Sequence, residues 1–226
     1  MAVIDILLLF EHSGYAAEPF TKIGFNTAIV DIQNNVANPR ATYTLDWNIL
    51  AKEQELRELA QDTLMVIGFP PCTDLAVSGA AHFENKARRN PNFQQEAIHM
   101  LRAPERIADK TTWMIENPVS RASTLWRKPN FTFIPADYGG YLPEDDVHPE
   151  FPEHIAPRDA YPKKTCLWTS NDFTMPPTKW VQWDALSQQH LHLGGKSQKT
   201  KNIRSASPRG FFIALAQHLL ALRASV

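Results

Sequence analysis

Apolar positions in this chain gather into short, nearly continuous runs, and stretches of helical spacing separate them. Val3–Phe10 is almost unbroken Ile and Leu, the pattern of a strand buried on both faces. His12-Ser13-Gly14 follows as a turn, then a helix from Ala16 to Ile23 ended by Gly24. Asn26–Ile32 is a second short apolar run, with Asp31 near its end. Strand, turn, helix, strand and acid form the opening of a dinucleotide-type βαβ unit. The theme continues. Leu50–Ala60 sets Leu56, Leu59 and Ala60 on one helical stripe, and Leu64–Gly68 is another buried strand. Phe93–Asp109 reads as a helix broken or kinked at Pro104, and Trp113–Glu116 as a further strand. The alternation predicts an α/β fold: a Rossmann-like, doubly wound, mostly parallel sheet with helices on both faces.

Beyond Asn117 the pattern loosens. Phe131–Ile134 and Thr165–Thr169 read as strands on either side of an irregular, proline-rich insertion at about 139–164, acidic between Pro143 and Pro162. Pro208–Arg223 predicts a final helix, with Pro208 in its first turn and Phe212, Leu215, Ala216 and Leu219 on its apolar face. With 226 residues and 43% hydrophobic content, one core and a single domain over 1–226 are expected. The net charge of −1 advertises no nucleic-acid binder, so any basic surface must be local, as in the short segment at about 194–204 with Lys196, Lys199, Lys201 and Arg204.

Two cysteines are too few for a disulfide framework, which favours a reducing, cytoplasmic setting. Val3–Phe10 lacks a basic leader and is interrupted by Asp5, so it is read as a strand and not as a signal peptide. No apolar run is long enough to span a membrane. The cluster Glu144, Asp145, Asp146, His148, Glu150, Glu153 and His154 matches no zinc spacing; it reads as a solvated loop, and no metal is expected.

Four segments carry candidate chemistry. Phe10-Glu11-His12-Ser13-Gly14 follows the first strand, where backbone N–H groups can hold a carboxylate or polar cofactor tail, and Asp31 is placed to accept bonds from ribose hydroxyls. Gly68-Phe69-Pro70-Pro71-Cys72-Thr73 follows a buried strand; two prolines stiffen the loop and hold the thiol in one geometry. Glu116-Asn117-Pro118 also follows a buried strand, so a nucleophile and an acid would open into one cleft. Arg204–Gly210 precedes the last helix, with Ser207 a natural N-cap.

Taken in order, these segments resemble the cytosine C5-methyltransferase family. Phe69-Pro70-Pro71-Cys72 resembles its Pro-Cys motif and Glu116-Asn117-Pro118 its Glu-Asn-Val motif. The first loop is similar to a worn Phe-x-Gly-x-Gly cofactor motif, and Ser205–Pro208 to the closing Asn-Ser-Val-Pro element. The resemblance implies S-adenosylmethionine as cofactor, Cys72 as covalent nucleophile, Glu116 holding the N3 and amino edge of cytosine, and Asn117 fixing the Cys72 loop. It assigns Asp31 to the cofactor ribose, Asp46 to the adenine amino group, and Phe10, Ser13 and Ser207 to the methionine end. His12, Gly14, Ile32 and Pro70 complete the cofactor set.

Two departures matter. Where the family has Gln-x-Arg-x-Arg, with an arginine reading cytosine O2, this chain has Tyr161-Pro162-Lys163-Lys164-Thr165, so Lys163, Lys164 or Thr165 would take that role. Pro71 and Arg88 join them as substrate contacts, Arg88 toward a phosphate. The family's target-recognition domain is also missing: Trp168–Ser205 falls below the roughly 40 residues a chain needs to fold unaided. A cytosine-containing substrate is implied, either a free nucleotide such as dCMP, which needs no base flipping, or DNA. Two other readings stay open: a catalytically inactive nucleic-acid-binding homologue, and a thiol hydrolase pairing Cys72 with His82 or His99.

Overall fold

The structure of the protein, a computed structural model, describes residues 3–183 and 197–224. Gly194, Gly195 and Lys196 of the basic segment lie outside the described residues.

The chain runs β1 (Ile6–Leu9), α1 (Glu18–Lys22), β2 (Thr27–Val30), β3 (Tyr43–Leu45), α2 (Glu53–Ala60) and β4 (Met65–Gly68). A 3₁₀ turn (Val77–His82) then leads to α3 (Phe83–Arg89), α4 (Phe93–Leu101), α5 (Ala103–Ala108), β5 (Thr112–Pro118), α6 (Ala122–Leu125) and β6 (Phe131–Phe133). Two more 3₁₀ turns (Pro135–Tyr141 and Pro157–Asp159) precede β7 (Thr165–Thr169), and α7 (Gln198–Ser205) and α8 (Arg209–Ala224) follow.

All seven strands join one sheet in the order β3-β2-β1-β4-β5-β7-β6. The first five are parallel, whereas β7 runs antiparallel to both β5 and β6. The expected α/β, doubly wound, mostly parallel architecture is therefore what the chain adopts. The order reverses between β1 and β4, so the loops after these two strands flank the switch point where such sheets bind ligands.

Successive side chains of a strand point to opposite faces, and here both faces are covered. Leu7, Leu9, Val66 and Ile115 pack with Leu56 of α2, Leu101 of α4 and Ile107 of α5. Ile6, Leu8, Ile67 and Met114 pack on the other face with Phe20 of α1 and Phe211, Phe212 and Leu215 of α8. That two-sided burial is why β1 and β4 read as continuous apolar runs.

Pro104 breaks the long helical stretch as its missing N–H requires: α4 stops at Leu101, and Pro104 sits in the first turn of α5. There its ring presses on β4, where a Cβ at Gly68 would lie 2.2 Å from Pro104 Cγ.

The solvated reading of the acidic insertion holds for Glu144, Asp145, Glu150 and Glu153, which are exposed, and fails for Asp146 and His148 between them. Phe151, Ile155 and Tyr161 form a small core with Ile203 and Ala206, while His148 and Asp159 are buried. Asp146 accepts two bonds from Arg209, at 2.9 and 2.6 Å, at the start of α8. Asp146 and Asp159 find partners at the start of α8, and the His148 ring accepts from the backbone of Glu150 and Phe151. Ser207 does not cap that helix; the free N–H of Gly210 donates to Asp159 Oδ2 at 3.0 Å. Among the described residues no helix is long and apolar enough to cross a membrane, and no group of three or more His, Cys, Asp or Glu side chains is arranged to hold a metal.

Candidate active site

Parallel pairing sets the register of the site. Gly68 of β4 lies beside Ile115 of β5, so the two strands deliver Phe69 and Glu116 to the same edge of the sheet. Beyond them the two loops are tied together. Asn117 is buried and donates its Nδ2 to the Pro70 carbonyl at 2.9 Å. Val77 N–H donates to Val119 O at 3.3 Å, and Arg121 N–H to Leu75 O at 2.8 Å. The backbone of Leu75 and Ala76 folds back onto the Cys72 carbonyl, with N–H donors at 3.0 and 2.8 Å. Pro70 is buried and Pro71 exposed, so the diproline lies across the protein boundary with the half-buried Cys72 just beyond it.

The reversed strand supplies the third group. Because β7 is antiparallel to β5, with Thr165 opposite Pro118, the residues entering β7 meet the edge that β5 leaves. Of the three sequence candidates, Lys163 is the one whose charge acts on both Cys72 and Glu116. Its ammonium donates to the Arg204 carbonyl at 2.8 Å. Lys164 is exposed, and its charge acts on Cys166 instead. Thr165 is buried, and its hydroxyl donates to the Lys163 carbonyl at 3.0 Å.

Burial pushes the Cys72 thiol up; Glu116 adds to the rise and Lys163 opposes it. Burial likewise raises the Glu116 carboxyl, with Lys163 again opposing. No described residue forms a hydrogen bond to that carboxyl. The resting pair is therefore a protonated thiol beside an acid inclined to keep its proton, both next to a fixed cation. Such a set can deliver a proton to a ring nitrogen and can ionise a thiol once negative charge moves elsewhere.

Across the switch point, the first loop is organised around a residue to which the sequence reading gave no role. Glu11 is buried, and its Oε1 accepts from Ser13 Oγ at 2.5 Å and Gly14 N–H at 2.7 Å. The Ser13 hydroxyl and the Gly14 N–H thus hold an internal carboxylate. Burial raises the Glu11 carboxyl, against those bonds. Phe10 sits at φ 61°, a left-handed conformation that is rare for a bulky side chain and is held here by the packing of its ring.

The loop after β2 closes over this turn. Asn34 Nδ2 donates to Glu11 O, Asn38 Nδ2 to His12 O at 3.0 Å, and Arg40 Nη1 to Ser13 O at 3.4 Å. A Cβ at Gly14, whose φ is 75°, would sit 2.8 Å from Asn38 and Arg40. A shallow hollow between the two loops is lined by His12, Asn34, Asn38 and Arg40. Sequence offered a faint signal for Glu11, an acid with Ser and Gly donors two and three residues on. It offered none for Asn38 or Arg40.

The cofactor-side acids lie on neighbouring strands. Val30 of β2 pairs with Leu45 of β3, so Asp31 and Asp46 leave the sheet next to each other. Asp31 Oδ1 accepts from Gln33 N–H at 2.8 Å, Ile32 is exposed, and Asp46 is exposed. Ser207 is buried ahead of α8, and its hydroxyl forms no hydrogen bond to a described residue. Arg88 lies away from this grouping, on the exposed face of α3, paired with Glu84 at 2.6 Å. His82 is exposed at the end of its 3₁₀ turn, and His99 lies 3.4 Å from Arg106 Nη2 on α4. No protein-family model and no curated protein matches the sequence.

Proposed function

We propose that this chain is an S-adenosylmethionine-dependent methyltransferase that acts on carbon 5 of cytosine, in a free cytidine nucleotide or in DNA, through a covalent bond from Cys72 to carbon 6. One observation carries the reading: Cys72 follows β4 and Glu116 lies near the end of its parallel neighbour β5, the carboxyl's charge acts on the thiol, and Lys163 acts on both.

The residues suit the cofactor. Asp31 keeps a carboxylate oxygen beyond its bond to Gln33 and stands beside Asp46, so two acceptors for ribose hydroxyls and an adenine amino group line one edge. When bound, S-adenosylmethionine supplies an electrophilic methyl on a sulfonium.

The chain's own groups do the rest. The Cys72 thiol gives its proton to solvent water and the thiolate adds to carbon 6, which breaks the ring's aromaticity; Glu116 gives its proton to N3, which leaves carbon 5 enamine-like. Lys163 stabilises the thiolate and would donate to the O2 edge of the cytosine. Asn117 holds the Pro70 carbonyl, so the thiol approaches one face of the ring. Once carbon 5 carries the methyl group, its proton passes to solvent, the electron pair expels Cys72 as thiolate, and N3 returns its proton to Glu116, so the ring is again aromatic. The charges acting on the thiol come from Lys163 and Glu116, with no histidine among them, which favours this chemistry over a Cys-His hydrolase.

One observation favours a second reading, an inactive nucleic-acid-binding homologue: Glu11 occupies donors of the first turn. Calorimetry with S-adenosylhomocysteine and trapping with a 5-fluorocytosine substrate separate the two. The methyltransferase binds the first and forms a stable adduct with the second, lost in Cys72→Ala. Absence of both leaves the homologue.

A further inference from the structure

Exposed cations on the helices of this protein generally have an acid of their own. Lys22 pairs with Glu18 on α1, Arg57 with Glu53 on α2, and Arg88 with Glu84 on α3. Helix α7 breaks the habit. Its sequence, Gln-Lys-Thr-Lys-Asn-Ile-Arg-Ser, contains no acid, and no described residue forms an ion pair with Lys199 or Lys201. In a chain of net charge −1 this is a local patch of one sign.

The helix also connects the two halves of the site. Gln198, its first residue, donates to Gln33 Oε1 at 3.0 Å in the loop that follows Asp31. Its last turn offers the Arg204 carbonyl to Lys163, whose charge acts on Cys72 and Glu116. Its inner stripe, Thr200 and Ile203, is buried. At 100° per residue, Lys199 and Lys201 leave the exposed half on opposite flanks of that stripe.

We propose that Lys199 and Lys201 hold phosphate groups of the substrate whose cytosine enters beside Cys72. This rests on the reading of the Cys72–Glu116 site. Two flanks give two contacts to a phosphate chain crossing the helix, and one contact to a mononucleotide.

The test measures binding, with no methyl transfer required. A short single-stranded cytosine oligonucleotide and dCMP are titrated against the wild-type protein and Lys199→Ala/Lys201→Ala over a salt series. Equal melting temperatures confirm that the exposed changes leave the fold intact. With about 0.7 counterions released per single-strand phosphate, the variant's slope of log K against log salt is shallower by about 1.4. The wild-type advantage then shrinks about sevenfold between 50 and 200 mM salt. Lys199→Arg/Lys201→Arg keeps the wild-type slope.

Weaker dCMP binding by the alanine variant assigns one lysine to the target's own phosphate. Unchanged dCMP binding, with the altered oligonucleotide slope, assigns both to flanking phosphates. Equal slopes and equal affinities for both probes overturn the proposal. Its failure is distinct from that of the catalytic reading, because 5-fluorocytosine trapping at Cys72 reports the latter alone.

Discussion

Two groups of titratable side chains sit on this sheet, and they handle burial in opposite ways. At the edge where β4 ends beside β5, Lys163 acts on Cys72 and Glu116 and Glu116 acts on Cys72, yet no described residue hydrogen-bonds the Glu116 carboxyl. Between the insertion and α8, Asp146, His148, Asp159 and Arg209 are joined by hydrogen bonds to each other and to backbone. Asp146 holds both terminal nitrogens of Arg209, Asp159 takes the Gly210 N–H, and His148 Nδ1 accepts from Glu150 and Phe151 N–H at 3.3 and 3.0 Å. The second group is paired through most of its polar atoms, with His148 Nε2, Asp159 Oδ1 and Arg209 Nε left without a partner among the described residues. In the first, a half-buried acid without a bond is free to give its proton to something that arrives. The first group suits the proposed chemistry, and the second ties the insertion to α8.

The sharpest test of that division removes the thiol. Cys72→Ala is expected to lower methyl transfer by about 10⁴-fold or more, the scale on which loss of a nucleophile acts, with the melting temperature nearly unchanged. A variant that unfolds instead would move Cys72 into the structural group. Next comes Asp146→Ala, which strands a guanidinium whose side chain is only 10% exposed. Urea denaturation should show a loss of about 3–5 kcal/mol. Replacing both partners, Asp146→Leu with Arg209→Met, should restore much of that loss, because an apolar pair carries no desolvation cost.

Lys163 belongs to the chemical group and is anchored by a single carbonyl, so its effect should appear in the pH profile. Its charge lowers both Cys72 and Glu116. Lys163→Ala therefore lets both groups rise further, and the limb of kcat/KM that tracks thiolate formation moves to more alkaline pH. At pH 7 the rate should drop by roughly tenfold to a hundredfold, while Lys163→Arg keeps the wild-type limb. An unmoved profile in Lys163→Ala would assign Lys163 to the structural group, as a tether for α7.

The contrast also explains which parts of the molecule are legible in sequence. Strands β1 and β4 announce themselves because both faces are covered, and Pro104 marks a helix boundary through covalent chemistry. Strand β3 does not: its three residues are half-buried and too few to show a period. Cys72 stands out because it follows a readable strand, and Glu116 and Asn117 because they lie near the end of one. The direction of β7 leaves no mark on residue types, so nothing in Tyr161-Pro162-Lys163-Lys164-Thr165 distinguishes Lys163 from its neighbours until the strand is seen to run backwards. The acidic insertion misleads for a related reason. Asp146 looks solvated until its partner, 63 residues away, is brought to it by the fold.

The subtlest expectation concerns the pH dependence of the structural group. Burial, with Arg209 and Arg40 adding to it and Asp146 opposing, pushes His148 down from 6.5 to about 4. Between those values the unfolded chain binds a proton that the native state does not, so this group makes stability rise with pH. Burial, with Asp146 adding and Arg209 and backbone N–H groups opposing, lifts Asp159 from 3.8 to about 6. There the native state holds the extra proton, so this group makes stability fall as pH rises. Across roughly pH 4–6 the two slopes have opposite sign and similar size, and their sum is close to flat. Asp159→Asn removes one side of the balance. Relative to wild type, its unfolding free energy should climb with pH through that window, by up to about 1.4 kcal/mol per pH unit. His148→Phe should tilt the other way, and identical pH slopes in all three proteins would show that His148 and Asp159 do not titrate as opposed members of one buried group.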